Sequence, residues 1–174
     1  MNMLLRIGDK LVNRQKIYRT IERILSLRCQ GLSQQETAKQ VGVDRTVISR
    51  LENMGEVRKG KSLALLGFPI CNCEELEQLA RQEGIDYCLL LTERQRWQFL
   101  QDNSGVELFN SLMRIIAEVR SNDTVIILAS NTRITLIEAM LDKEVIGIQI
   151  GESPIAEDKY VDPALVREII RAIR

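Results

Sequence analysis

The pattern of apolar positions changes rhythm near residue 62. From Asp9 to about Gln30, apolar residues fall at Leu11, Val12, Ile17, Tyr18, Ile21, Ile24 and Leu25. Steps of three and four place them along one face of a helix. Gly31 follows where such a helix would stop. Next comes a short polar stretch opening with "SQQE", Ser33 to Glu36. That spacing is a capping box: the serine hydroxyl accepts from the Glu36 N–H, and the glutamate reaches back. A short helix to about Gln40 is expected. Gly42 then supplies a turn, and Asp44 is a good N-cap for a third helix over roughly Arg45 to Asn53.

After Gly55 the segment "EVRKGK" is short, charged and glycine-containing, and reads as a linker. Beyond it, short apolar runs alternate with amphipathic ones. "SLALLGFPI", "DYCLLLT", "DTVIILAS" and "EVIGIQIG" read as buried strands. "CEELEQLARQEG", "ERQRWQFLQDNSG", "VELFNSLMRIIAEVRS", "TRITLIEAMLD" and "DPALVREIIRAIR" read as helices. Thr92 with Gln95 makes a second capping box, and Pro163 takes the first helical position. Continuous apolar strands alternating with helices imply a parallel sheet covered on both faces. The expected architecture is a two-domain α/β chain. An all-helical unit spans 1–57, a linker 58–61, and a small doubly wound, Rossmann-like parallel α/β domain 62–174. No repeat or low-complexity tract interrupts this order.

Charge divides the chain at the same place. The 24 Lys/Arg and 24 Asp/Glu cancel overall. Residues 1–61, however, hold thirteen basic and six acidic residues, a net of +7, which leaves −7 for residues 62–174. A basic module suits a polyanion, and an acidic one some other task. The four cysteines (Cys29, Cys71, Cys73, Cys88) make no disulfide framework, and no histidine is present. The commonest general base and the Ser-His and Cys-His nucleophile pairs are therefore missing. No apolar run reaches the roughly 20 residues of a membrane span. The start has no long apolar core or small-residue cleavage pattern, so no signal peptide is expected. A cytoplasmic location with no membrane partner is expected.

The opening helices can now be read together. Ala38 is the small residue where two helices cross, and Gly42 lies in the turn four residues later. Val41, Val43, Ile48 and Leu51 are the apolar residues around the turn and inside the second helix, and "SRLEN" ends it. Over about residues 15–60 this resembles the helix-turn-helix of Cro/repressor-type bacterial transcription regulators. Thr37 departs from the pattern, since a larger apolar residue is usual there. The geometric logic is that two helices meet steeply only if the contact residue is small and the turn accepts φ > 0. The inner face of the second helix is expected to be Val47, Ile48 and Leu51; its outer residues are Asp44, Arg45, Thr46, Ser49 and Arg50.

The resemblance implies that double-stranded DNA is the partner. Arg45, Thr46, Ser49 and Arg50 would then meet base edges or nearby phosphates in the major groove. Ser33 and Gln34, opening the first helix of the motif, are placed to hold a phosphate. Arg58, Lys59 and Lys61 would grip backbone phosphates and make binding salt-dependent. A lone helix-turn-helix makes a small interface, so a homodimer on a two-fold operator is expected; the long helix over 106–120 is a candidate for that interface or, equally, for a covering helix of the sheet.

A doubly wound sheet binds ligands at the C-terminal ends of its strands. The best candidate there is "LASNTR", which places Ser130, Asn131, Thr132 and Arg133 at a helix N-terminus, as a site for a small-molecule or anionic effector. Plain helix capping by Asn131 or Thr132 is the alternative. "LLGFPICN" and "LTERQR" end the first two strands with Gly67, Pro69 and Asn72, and with Thr92, Glu93 and Arg94. Neither a dinucleotide fingerprint nor a P-loop is present, so no cofactor is implied. No metal is assigned, because Glu152, Glu157 and Asp158 would have to converge with unrelated side chains. A sequence-specific regulator with a C-terminal regulatory or oligomerisation domain is the expected function. The alternatives are a small α/β enzyme on a DNA-binding module and a protein-interaction adaptor. The enzyme needs a nucleophile, for which Ser130 is the placed hydroxyl, and it lacks a histidine to activate it.

Overall fold

The computed structural model describes residues 4–56 and 62–174. The linker expected at 58–61, with Arg58, Lys59 and Lys61, lies outside the described residues. The chain divides into two compact units, Met1–Glu56 and Val57–Arg174.

The first unit begins with a hairpin where a helix was expected. Strands β1 (Leu4–Ile7) and β2 (Lys10–Asn13) pair antiparallel, with Leu5 opposite Val12 and Ile7 opposite Lys10. Leu11 and Val12 therefore belong to a strand, and helix α1 starts only at Arg14 and runs to Cys29. The physical reason lies in two residues. Gly8 has φ 58°, and Gly-Asp between strands is a two-residue hairpin loop. Asn13 then caps α1, accepting from the Lys16 N–H at 3.1 Å.

Helix α2 (Gln34–Val41) and helix α3 (Arg45–Gly55) follow as the polar stretch predicted. The Ser33/Glu36 capping box is formed in full. Gly42 closes α2 in the left-handed region at φ 78°, and its N–H and that of Val43 both donate to the Ala38 carbonyl. This satisfies end carbonyls without a Cβ penalty. Ile24, Ala38 and Ile48 form the buried centre, with Val41, Val43 and Leu51 packed against it.

The second unit is the expected parallel sheet. Its strands are β3 (Leu63–Gly67), β4 (Tyr87–Leu90), β5 (Thr124–Ser130) and β6 (Glu144–Gly151), in the order β4-β3-β5-β6, all parallel. β3 and β5 are buried at every position, as central strands covered on both faces should be. Helices α4 (Cys73–Gln82) and α8 (Pro163–Ile173) cover one face through Leu76, Leu79, Val166 and Ile170. Helices α6 (Gly105–Arg120) and α7 (Asn131–Met140) cover the other through Ile115, Val119, Ile134 and Ile137. Helix α5 (Glu93–Gln101) follows β4 and has no buried residue. Gly147 lets α7 approach β6, since a Cβ there would lie 2.3 Å from Ile134 Cγ2.

Two features shape the C-terminal end of the sheet. β3 leads through α4 on one face, and β5 leads through α7 on the other, so their C-terminal ends diverge at a topological switch point. The loops there are tied down. Asn72 holds Val161 through two hydrogen bonds, of 2.8 and 3.1 Å, and Glu93 N donates to Asp158 at 2.6 Å.

Candidate nucleic-acid interface

The outward face of α3 is built by what its inward face buries. Ile48 is fully buried and Leu51 half-buried, which turns Arg45, Thr46 and Arg50 to solvent, with Ser49 half-buried between them. Arg45 with Ser49, and Thr46 with Arg50, are i,i+4 pairs and form one strip along the helix. Among the described residues, neither Arg45 nor Arg50 has a hydrogen bond or ion pair. Their guanidinium donors are thus open to base edges or phosphates. Val47, expected on the inner face, is instead 48% exposed. It lines an open apolar groove of about 620 Å³ with Ile17, Ile21 and Met54.

Asp44, Thr46 and Ser33, three of the anticipated contact residues, also hold the structure together. Asp44 Oδ1 accepts from the Thr46 N–H at 2.7 Å and from Thr46 Oγ1 at 2.5 Å. Those bonds, the Thr46 hydroxyl first, hold the Asp44 carboxyl below the usual aspartate range. A carboxylate so engaged at the head of α3 orients the helix, and its charge repels phosphate. The Ser33 hydroxyl is likewise bonded to Glu36, 2.7 Å from Oε2.

Gln34 belongs to a staple that the sequence reading missed. Glu52 Oε1 accepts from Arg28 Nε at 2.5 Å, and its Oε2 accepts from Gln34 Nε2 at 2.6 Å. Arg28 also donates through Nη1 to the Leu32 carbonyl. One carboxylate on α3 thereby joins the end of α1 to the start of α2. Arg28 foremost, then Gln34, holds the Glu52 carboxyl below the usual glutamate range. The bond to Glu52 uses one of the two Gln34 amide hydrogens. No local sequence rule exposes this trio, because its members lie 18 and 24 residues apart.

The arrangement is two helices joined by the Gly42 turn, with exposed cations on the second. Residues 24–66 match the helix-turn-helix family model. The matched region is the one that resembles the Cro/repressor type, and the match supports DNA binding and transcription regulation by this helix-turn-helix. No curated protein and no solved structure matches the chain.

The candidate effector residues occupy the end of β5. Ser130 is fully buried at the N-cap position of α7, without a capping bond from its side chain, and its Oγ has no partner. Asn131, the first residue of α7, accepts through Oδ1 from the Thr132 N–H at 2.8 Å and from the Ser153 N–H at 3.0 Å. Asn131 therefore ties the β6–α8 loop to α7, and Thr132 is exposed beside it. Arg133 stands over the Phe68 ring, 4.9 Å from its centroid, and its Nη1 is buried without a partner.

The other chemical candidates resolve simply. Burial pushes the Cys73 and Cys88 thiols up to about 11, so neither is a ready nucleophile. Among the described residues no group of three His, Cys, Asp or Glu is placed to hold a metal ion. No helix among them is long and apolar enough to cross a membrane.

Proposed function

We propose that the protein is a sequence-specific transcription regulator that binds its operator as a homodimer through α3. The observation that carries this reading is the pair of exposed arginines, Arg45 and Arg50, on the solvent-facing strip of the helix that buries Ile48, neither of them held in a hydrogen bond or ion pair among the described residues. Arg45, Thr46, Ser49 and Arg50 read base edges or adjacent phosphates. Gln34 and the head of α2 hold a phosphate. Arg58 and Lys59 add backbone contacts. Asp44 acts indirectly, by fixing the first turn of α3.

The α/β unit is the regulatory part. It senses a small effector at the strand ends and carries the dimer contact. The outward face of α6 supports the second role: Val106, Phe109 and Met113 are 72%, 63% and 51% exposed and follow helical spacing. A binding role fits better than catalysis. The Ser130 hydroxyl is fully buried, and the chain has no histidine to activate it.

The test is a double substitution, Arg45→Ala with Arg50→Ala, assayed by fluorescence anisotropy on a duplex selected by the unaltered protein. Each arginine lost from a base contact costs about 1–3 kcal/mol. Binding should fall by roughly two orders of magnitude or more with the far-UV circular dichroism unchanged. Undiminished affinity in a folded double variant would refute the reading of α3 and favour an adaptor role.

A further inference from the structure

The strand ends bring together two arginines that the helix-turn-helix reading does not use. Arg133 comes from α7 after β5, Arg96 from α5 after β4, and Phe68 from the turn after β3. Arg133 stacks on Phe68 at 4.9 Å, and Arg96 lies 5.7 Å from the Trp97 ring centroid. Glu93 Oε1 accepts from Arg96 Nη2 at 2.6 Å and from Trp97 Nε1 at 2.9 Å. Burial foremost, then the charge of Arg96, lowers the Arg133 guanidinium from its ordinary value, and Glu93 opposes this. The three charges therefore share one neighbourhood.

This neighbourhood is short of partners. Arg133 Nη1, Arg96 Nε and Ser130 Oγ are buried donors without acceptors, and Glu93 Oε2 is a buried acceptor without a donor. Buried polar groups are normally bonded, so four orphans at one end of a sheet require an explanation. A structural ion pair explains Arg96 and Glu93 only in part, and it leaves Arg133 untouched. The cluster also sits at the topological switch point, where open α/β sheets take their ligands.

The second observation is a cavity on the same side of the sheet. About 240 Å³ is enclosed by Leu66, Phe68, Leu89, Leu112, Ile115 and neighbouring side chains of α6 and α7. Its lining is aliphatic and aromatic, and it is smaller than the roughly 300–1,000 Å³ typical of drug-sized ligands. Phe68 belongs to both features: its ring lines the cavity and carries Arg133. Phe68 is thus shared by the apolar chamber and the Arg133 guanidinium, and neither arginine lines the chamber itself.

We propose that this chamber binds a small amphipathic monocarboxylate, with its apolar body against Leu66, Leu112 and Ile115 and its carboxylate on Arg133 and Arg96. Counting Asp158, whose Oδ1 accepts from the Glu93 N–H at 2.6 Å, the cluster holds two guanidinium groups and two carboxylates, and it is the unpartnered donors Arg133 Nη1 and Arg96 Nε that select the headgroup. Planar, bidentate pairing with guanidinium suits a carboxylate. The proposal rests on reading the α/β unit as the sensing domain, and it names the ligand class of that site.

The experiment is calorimetric titration of the full chain, without DNA, with hexanoate as the probe. 1-Hexanol and inorganic phosphate serve as controls for the body and the charge. Saturable one-site binding of hexanoate is expected, with hexanol and phosphate each at least tenfold weaker. Arg133→Gln should weaken hexanoate at least tenfold, and Arg96→Gln, on the exposed helix α5, gives a second variant should the first fail to fold. The proposal is overturned if hexanoate shows no saturable binding, if hexanol or phosphate binds as tightly, or if a folded variant of either arginine binds hexanoate as before. Because no DNA is present, the result stands apart from the operator reading. Hexanoate binding that leaves DNA affinity unchanged would count against the sensing role and leave the site intact.

Discussion

Thr37 offers a sharp test of the packing that presents α3. Its side chain is fully buried beside the Ala38 crossing, and its Oγ1 has no hydrogen-bond partner. A buried, unpaired hydroxyl costs about 1–3 kcal/mol. Thr37→Val keeps the shape, removes the hydroxyl and puts a methyl in its place, which burial favours by up to about 0.8 kcal/mol. The expected gain is therefore about 1–3 kcal/mol. For a unit of this size each 1 kcal/mol raises the melting temperature by roughly 4–8 °C. Thr37→Ser is the control, since it keeps the hydroxyl and loses the methyl, and it should lose about 1 kcal/mol. Urea unfolding followed by far-UV circular dichroism and by tryptophan fluorescence separates the two units, because the single tryptophan, Trp97, lies in the second. The gain should appear in the dichroism transition and leave the fluorescence transition in place. A neutral or destabilised valine variant would refute the reasoning, since it would mean that the hydroxyl is satisfied.

Three further outcomes follow from the same geometry. Gly42→Ala meets nothing within 4 Å of the new Cβ, so only the left-handed backbone at φ 78° is penalised, by about 1–2 kcal/mol in urea unfolding. Gly147→Ala does the opposite: its Cβ would stand 2.3 Å from Ile134 Cγ2, and the overpacking should cost about 1–3 kcal/mol or more in the fluorescence transition. Acid should weaken the first unit through Glu52 and Glu36, whose carboxyls are lowered by Arg28 with Gln34 and by Ser33 respectively. A folded-state value below the unfolded one stabilises fully above about pH 4.3, and this is lost as pH falls through the folded values. Glu52→Gln should flatten that acid limb in a dichroism titration.

The sequence made the helix-turn-helix legible because its signals are local. The Ser33 capping box, the Gly42 turn and the Asp44 cap each act within four residues, and each forms as expected. The parallel sheet was legible for a related reason, since β3 and β5 are uninterrupted apolar runs buried on both faces. The hairpin was not. Leu11 and Val12 satisfy a helical period with Ile17 and Tyr18, and the Gly8-Asp9 loop that overrides it is a two-residue signal beside a seven-residue one. The exposure of Val47 was missed because helical spacing gives a face but not where its edge falls. Glu93 was noted only as a strand-end residue, and Arg96 and Phe68 were not singled out. Their meeting with Arg133 depends on strand order, which joins three segments far apart in sequence.

The most direct test of the central claim is selection of random duplex DNA by the purified protein at two salt concentrations. The account predicts an enriched two-fold sequence with half-sites about 34 Å apart or a multiple of that, bound less tightly as salt rises. No enrichment, or binding indifferent to sequence, would contradict a regulator that reads its operator through Arg45 and Arg50.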